Sequence, residues 1–241
     1  MDREQAWAAI GRQRRVLADL AADLTDDEWE RPSLCAGWRV RDVVAHVALG
    51  PQTTLPQMIA DTVRARGEFN RLVHDTAVRK AAEPTWELVT ELREVADSRR
   101  RPPGVSYLDS LADVLVHTQD IAIPVGRSIA MPTDAAAAAA QRVWSFGFPH
   151  WARRRLRGLR LVATDTAWTR GEGIEVRGPI GALLLLLTGR TAALDALSGD
   201  GAAIVRTGTA RSRRHDPPRT RPSDRSPSRS VPAPAPPREH R

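Results

Sequence analysis

Chemistry in this chain has few places to reside. The sequence holds six histidines and one cysteine, Cys35. His215 and His240 sit in an Arg/Pro/Ser-rich C-terminal stretch, which leaves His46, His74, His117 and His150 in the body. Asp113, His117 and Asp120 are spaced i, i+4 and i+7, so on a helix they fall on one line. Their neighbours Leu111, Ala112, Val114, Leu115, Val116, Ile121, Ala122 and Ile123 are apolar. A helix so apolar belongs near the centre of a fold, and its polar line faces either an internal polar site or its exposed strip. His46 lies about 60° from the centre of a Val40/Val43/Val44/Val47 stripe at ~100° per residue, at the border of a buried face. Two imidazoles and a carboxylate on facing helices would suit a divalent metal with an open position for water or a thiol. Cys35 reads as a small buried apolar residue in a loop rather than a nucleophile beside His46, since its sequence neighbourhood offers only Arg31 and Arg39 to activate a thiol. The chain has no Gly-rich phosphate loop, GxSxG elbow or Walker motif.

The elements that must position these residues follow from periodicity. Trp7, Ile10, Leu17, Leu20 and Leu24 predict a first helix over 3–24. Thr25 and Glu28 form a capping-box pair, and residues 31–38 a loop punctuated by Pro32 and Gly37. Further helices are expected over 40–49, 54–77, from Trp86 to Val95, over 106–123, and from Thr133 or Asp134 through an alanine run. Beyond His150 the texture changes. Leu159–Ala163 and Ile174–Val176 read as a long-looped hairpin, Pro179–Leu187 and Thr191–Leu197 as helices, and Ala203–Val205 as a last strand. The expected class is α+β: a helical bundle over 1–150, a small α+β domain over 151–210, and a disordered tail over 211–241. Eight of the 18 prolines fall in that tail.

The charge of +7 and pI near 11.0 invite a nucleic-acid reading. The tail, however, has nine arginines against Asp216, Asp224 and Glu239, so it carries six of the seven charges and the body is nearly neutral. The body is therefore not read as a nucleic-acid binder. All seven tryptophans lie in the body, as core or pocket wall. The longest apolar run, around Leu183–Leu187, falls short of the ~18–20 residues that cross a bilayer, and MDREQAW has no secretory h-region. One cysteine permits no disulfide within the chain and suits a reducing cytoplasm. Lys80 is the single lysine among 36 basic residues, an arginine bias of GC-rich, actinobacterial-type genomes.

Three segments resemble one family. Trp29-x-x-Pro32-Ser-Leu-Cys-Ala-Gly-Trp38-x-Val-Arg-Asp-Val-Val-Ala-His46 is similar to the opening signature of the maleylpyruvate isomerase family of mycothiol-dependent enzymes, in the DinB-like superfamily. Asp113-Val-Leu-Val-His117-Thr-Gln-Asp120, continuing to Gly126-Arg127, resembles its second signature. Leu161–Trp168 and Leu187-Thr-Gly-Arg190 resemble its C-terminal domain, and the likeness spans about residues 5–205. The resemblance implies a DinB-like up-and-down four-helix bundle holding a divalent metal, usually zinc. His46, Asp113 and His117 match its ligand positions, and Arg190 matches an arginine that could hold a substrate carboxylate in a bidentate grip. The family's carboxylate is commonly Glu; Asp113 is one methylene shorter. The implied activity is cis–trans isomerisation or thiol transfer on a small electrophile, with mycothiol as thiol cosubstrate. The alternative is a non-catalytic metal-binding or regulatory protein.

Overall fold

The computed structural model of the chain describes residues 1–215. Eleven α-helices and three short strands are present among the described residues. Helix α1 runs Arg3–Ala22, capped by Asp2 and Gln5, and α2, Asp26–Glu30, opens on the Thr25/Glu28 capping box. Then follow α3 (Val40–Leu49), α4 (Leu55–Arg64), α5 (Phe69–Lys80), α6 (Thr85–Glu94), α7 (Tyr107–Ala122) and α8 (Thr133–Phe146). The last third comprises α9 (Ala152–Arg155), strands β1 (Leu159–Ala163), β2 (Thr169–Gly171) and β3 (Ile174–Gly178), then α10 (Ile180–Leu187) and α11 (Asp200–His215). The class is α+β, rich in helix.

Helix α7 packs on α1, α3 and α8; α1 and α3 also pack on α6, and α3 on α5. Fully buried Ile10, Leu17, Leu88, Leu92, Leu111 and Leu115 fill the space between them. Helix α8 presents Ala135, Ala136, Ala139 and Ala140, all buried, and on these small side chains α10 lies with Leu183, Leu184 and Leu187. One continuous core thus runs from Ala6 to Ala202. No helix among the described residues is long and apolar enough to cross a membrane.

The structure corrects four expectations. The helix predicted over 54–77 breaks at Ala65–Glu68 into α4 and α5, where Arg66 and Gly67 take φ of 56° and 76°. The apolar period continues across the break, which hides it. The 159–163 and 174–178 strands are no hairpin: β1 pairs in parallel with β3, and β2 folds back antiparallel on the other edge, giving the order β2-β1-β3. Glycines make this possible. A Cβ on Gly171 or Gly173 would stand 2.3 Å from Leu159 O or 2.1 Å from Gly158 O, so the chain can cross the start of β1 only without side chains. The 191–197 helix is a 3-10 turn at Leu194–Ala196, and Ala203–Val205 lies inside α11. Helix α11 runs on to His215, and from residue 216 the expected disordered tail lies outside the described residues.

The core sets a stability expectation. Leu111→Ala and Leu184→Ala should each cost about 2–5 kcal/mol by urea unfolding, because both leave cavities in the packed interior. Ile59→Ala on α4, which buries no residue, should change stability by less than about 0.5 kcal/mol.

Candidate metal centre

His46 is carried near the C-terminal end of α3. That helix begins where the Arg39 N–H donates to Asp42 Oδ2 at 2.8 Å, with the Arg39 guanidinium clamped on Asp42 and Glu30. Asp113, His117 and Asp120 come from α7, which opens on a Ser106/Asp109 capping box braced by Arg142 on Asp109 at 2.6 and 2.9 Å. The polar line of α7 faces inward. Asp113 is 41% exposed, His117 13% and Asp120 0%, so the line descends from an open edge into the core.

Asp113 Oδ1 lies 3.2 Å from His46 Nε2 and 3.3 Å from His117 Nε2. The three residues offer ligand atoms all within 4.8 Å of one another. Metal–ligand bonds of about 2.0–2.1 Å at tetrahedral angles set ligand atoms about 3.3–3.4 Å apart, so the two spacings match edges of such a site. The shorter aspartate reaches because α3 and α7 are in contact. A second group of potential ligands, Cys35, His117 and Asp120, lies on the other side of the same imidazole. There the Arg190 guanidinium already stands 2.6 Å from Asp120 Oδ2 and 3.3 Å from Cys35 Sγ, and its charge repels a second cation. The donor set that fits a divalent metal is therefore His46, Asp113 and His117.

Asp120 orients that set. His117 Nδ1 lies 2.8 Å from Asp120 Oδ2, which directs Nε2 towards Asp113 and His46. Asp120 also receives Arg190 Nε at 3.0 Å and the Cys35 thiol at 3.1 Å. Burial opposes ionisation of Asp120, but hydrogen bonds from His117 and Arg190 and their charges hold its carboxyl far below the usual carboxylate range. Desolvation likewise opposes the charges of Asp113 and His117, yet the attraction within the cluster prevails: Asp113 is pushed well down and His117 well up.

Arg190 is present at the site, but its bidentate grip is on a carboxylate of the protein itself. It projects from the turn that ends α10, where Gly189 takes φ of 90° and the Arg190 N–H returns to Leu185 O. Its Nη1 donates to Thr188 O at 2.8 Å. Cys35 corrects the expectation of a buried apolar residue with only Arg31 and Arg39 as cationic neighbours: it is half-buried, its loop is tied to α7 by the Leu34 N–H on Asp120 O, and the thiol touches Asp120, Arg190 and, at 3.8 Å, His117 Nδ1. Nothing local signalled this, since Arg190 is 155 residues away. The same loop delivers Trp38, whose indole is stacked parallel to His117 at 6.5 Å and edge-on to His46 at 5.4 Å.

The sequence profile of the mycothiol maleylpyruvate isomerase N-terminal domain matches residues 10–122, the stretch that supplies both histidines and both aspartates. Over this stretch, just under half of its length, the chain is similar to that domain. The crystal structure of a mycothiol-dependent maleylpyruvate isomerase is similar over 84% of this chain and 94% of its own, with a TM-score of 0.56 and 14% identity. A histidine-to-alanine mutant of a mycothiol-dependent maleylpyruvate isomerase is matched equally well. At this identity the likeness is one of fold. No curated protein sequence matches the chain.

Two predictions follow from the centre's surroundings. Asp120→Asn keeps the shape but loses the charge that fixes the His117 tautomer. It should weaken zinc affinity about 10–100-fold in a competitive chelator titration; unchanged affinity would refute the orienting role. His150 is pushed down to about 4, by burial first and then by the charges of Arg190, Arg155 and His117. As pH falls from about 6.5 the unfolded chain takes up this proton first, so the folded state loses stability until about pH 4. The loss attributable to His150 should reach about 2–3 kcal/mol and vanish in His150→Gln, read by urea unfolding at pH 7.5 and 4.5.

Proposed function

We propose that the chain is a divalent-metal- and mycothiol-dependent enzyme acting on a small electrophile, as a cis–trans isomerase or thiol S-transferase. The observation that carries this reading is the His46/Asp113/His117 triad at metal-ligand spacing, with His117 held from behind by a fully buried aspartate. The likeness of residues 10–122 to the mycothiol maleylpyruvate isomerase N-terminal domain and the fold of the similar maleylpyruvate isomerase support it. In this reading α1, α3, α6 and α7 form a DinB-like up-and-down four-helix bundle within residues 1–150. Residues 151–210 form a smaller domain that contributes Arg190, and the setting is the cytoplasm.

A divalent metal, with zinc the ion this donor set suits best, lowers the pKa of a bound thiol and so supplies a nucleophile at neutral pH. The chain's own residues set the conditions for that chemistry. His46, Asp113 and His117 would hold the ion. Asp120 keeps the His117 tautomer that turns Nε2 to the site. Trp38 sets its indole beside both imidazoles. The exposed edge of Asp113 leaves room for the thiol and the electrophile. Arg190 acts in this reading by holding Asp120 and Cys35 in place.

Metal content of the purified protein tests the proposal. About one ion per chain, lost in His46→Ala and in His117→Ala, together with mycothiol-dependent turnover abolished by a chelator, is the expected result. A protein that takes up no divalent ion on titration refutes it. Metal binding without turnover favours the non-catalytic reading, for which the shorter Asp113 and the internally paired Arg190 are the supporting features.

A further inference from the structure

Three half-exposed aromatic rings lie side by side near the metal centre. Phe69, at the start of α5, meets Phe148 edge-on with centroids 4.9 Å apart, and Phe148 meets Trp151 at 6.4 Å. They are 43%, 44% and 55% exposed, so the rings present a shared apolar face to solvent. The 147–151 loop is held in an unusual shape: Trp151 takes a φ of 51°, sparsely populated for a bulky residue, and Gly147 one of 87°.

Both supports of this face return to the candidate metal centre. On α5, the His74 ring lies 6.2 Å from Trp38, whose indole is parallel to His117. In the loop, His150 stands between Phe148 and Trp151 in sequence and feels the charges of His117, Asp113 and Arg190.

Charge at this mouth is the second observation. Three arginines come near. Arg190 has Nε and Nη2 on Asp120 and Nη1 on Thr188 O. Arg155 has Nε on His150 O and Nη2 on the carbonyls of Leu186 and Leu187. Arg14, close enough to sense Asp113, is buried with Nη1 on the carbonyls of Val95 and Ser98. Neither Arg190 nor Arg155 offers a two-pronged edge to a substrate carboxylate, and burial keeps the neighbouring His150 neutral. A substrate carboxylate would have to displace Asp120 to be gripped two-pronged by Arg190, whereas an uncharged ring would cover apolar surface that is otherwise hydrated.

We propose that the site takes an uncharged electrophile bearing an aromatic group, which packs on Phe69, Phe148 and Trp151, in preference to a small carboxylic acid. This rests on the enzymatic reading above and selects thiol transfer within it. The thiol sulfur forms a bond to the electrophilic carbon, the leaving group departs with the electrons of the bond it breaks, and the thiol proton passes to solvent. No oxidant or reductant is needed.

The test uses the full-length, zinc-loaded protein with mycothiol, and compares 1-chloro-2,4-dinitrobenzene with maleylpyruvate. A higher kcat/KM for the aryl chloride is expected, with KM raised about five- to tenfold in Phe69→Ala and kcat little changed. A binding arm needs no turnover: S-(2,4-dinitrophenyl)cysteine should quench tryptophan fluorescence, and Phe69→Ala should weaken its binding by a similar factor. A higher kcat/KM for maleylpyruvate, or aryl binding indifferent to Phe69→Ala, overturns the proposal. Absent turnover with both substrates, alongside aryl binding that depends on Phe69, rejects the enzymatic reading while retaining the aromatic subsite.

Discussion

The candidate site depends on one buried carboxylate. Asp120 is fully hidden, and a lone ionised carboxylate in that position would be costly. It is tolerated because hydrogen bonds converge on it from three separated parts of the chain: His117 on its own helix, Cys35 in the 33–38 loop, and Arg190 at the end of α10. Removing any one donor leaves the others around an undercompensated charge. This interaction couples the packing of α10 on α8 to the orientation of a single imidazole ring. It also explains why an arginine contributed by the last third of the chain lies at a centre built by the first half.

Opposed charges are arranged in a sequence from this point outward. Arg190 and Asp120 neutralise each other in the interior, and His117 links them to Asp113 at the open edge. Only the outer face of His117, with His46 and Asp113, is left for an external cation, because the inner face already has one in Arg190. The two clusters of potential ligands share an imidazole and are chemically unequal for that reason. Beyond the outer cluster lie the half-exposed rings of Phe69, Phe148 and Trp151, and the paired charges of Arg190, Asp120, His117 and Asp113 are largely balanced before any ligand arrives.

The sequence by itself determined the helices of the first half, because an apolar stripe at helical period must be buried, and capping boxes at Asp2, Thr25 and Ser106 fix where helices begin. It also singled out His46, Asp113 and His117, since helical spacing and apolar flanks are local properties. The family signature within 10–122 was legible on the same residues. Only tertiary structure decided which side of α7 faces inward, a choice that depends on α3 packing against it. It decided equally that Cys35 lies beside Arg190, and that Arg190 grips Asp120 rather than projecting a free guanidinium. The same is true of the β2-β1-β3 order and the kink between α4 and α5, because both rest on positive-φ turns and backbone crossings that hydrophobic period does not encode. Contacts between residues more than a hundred positions apart leave no trace in local pattern, and the surroundings of the site are made of such contacts.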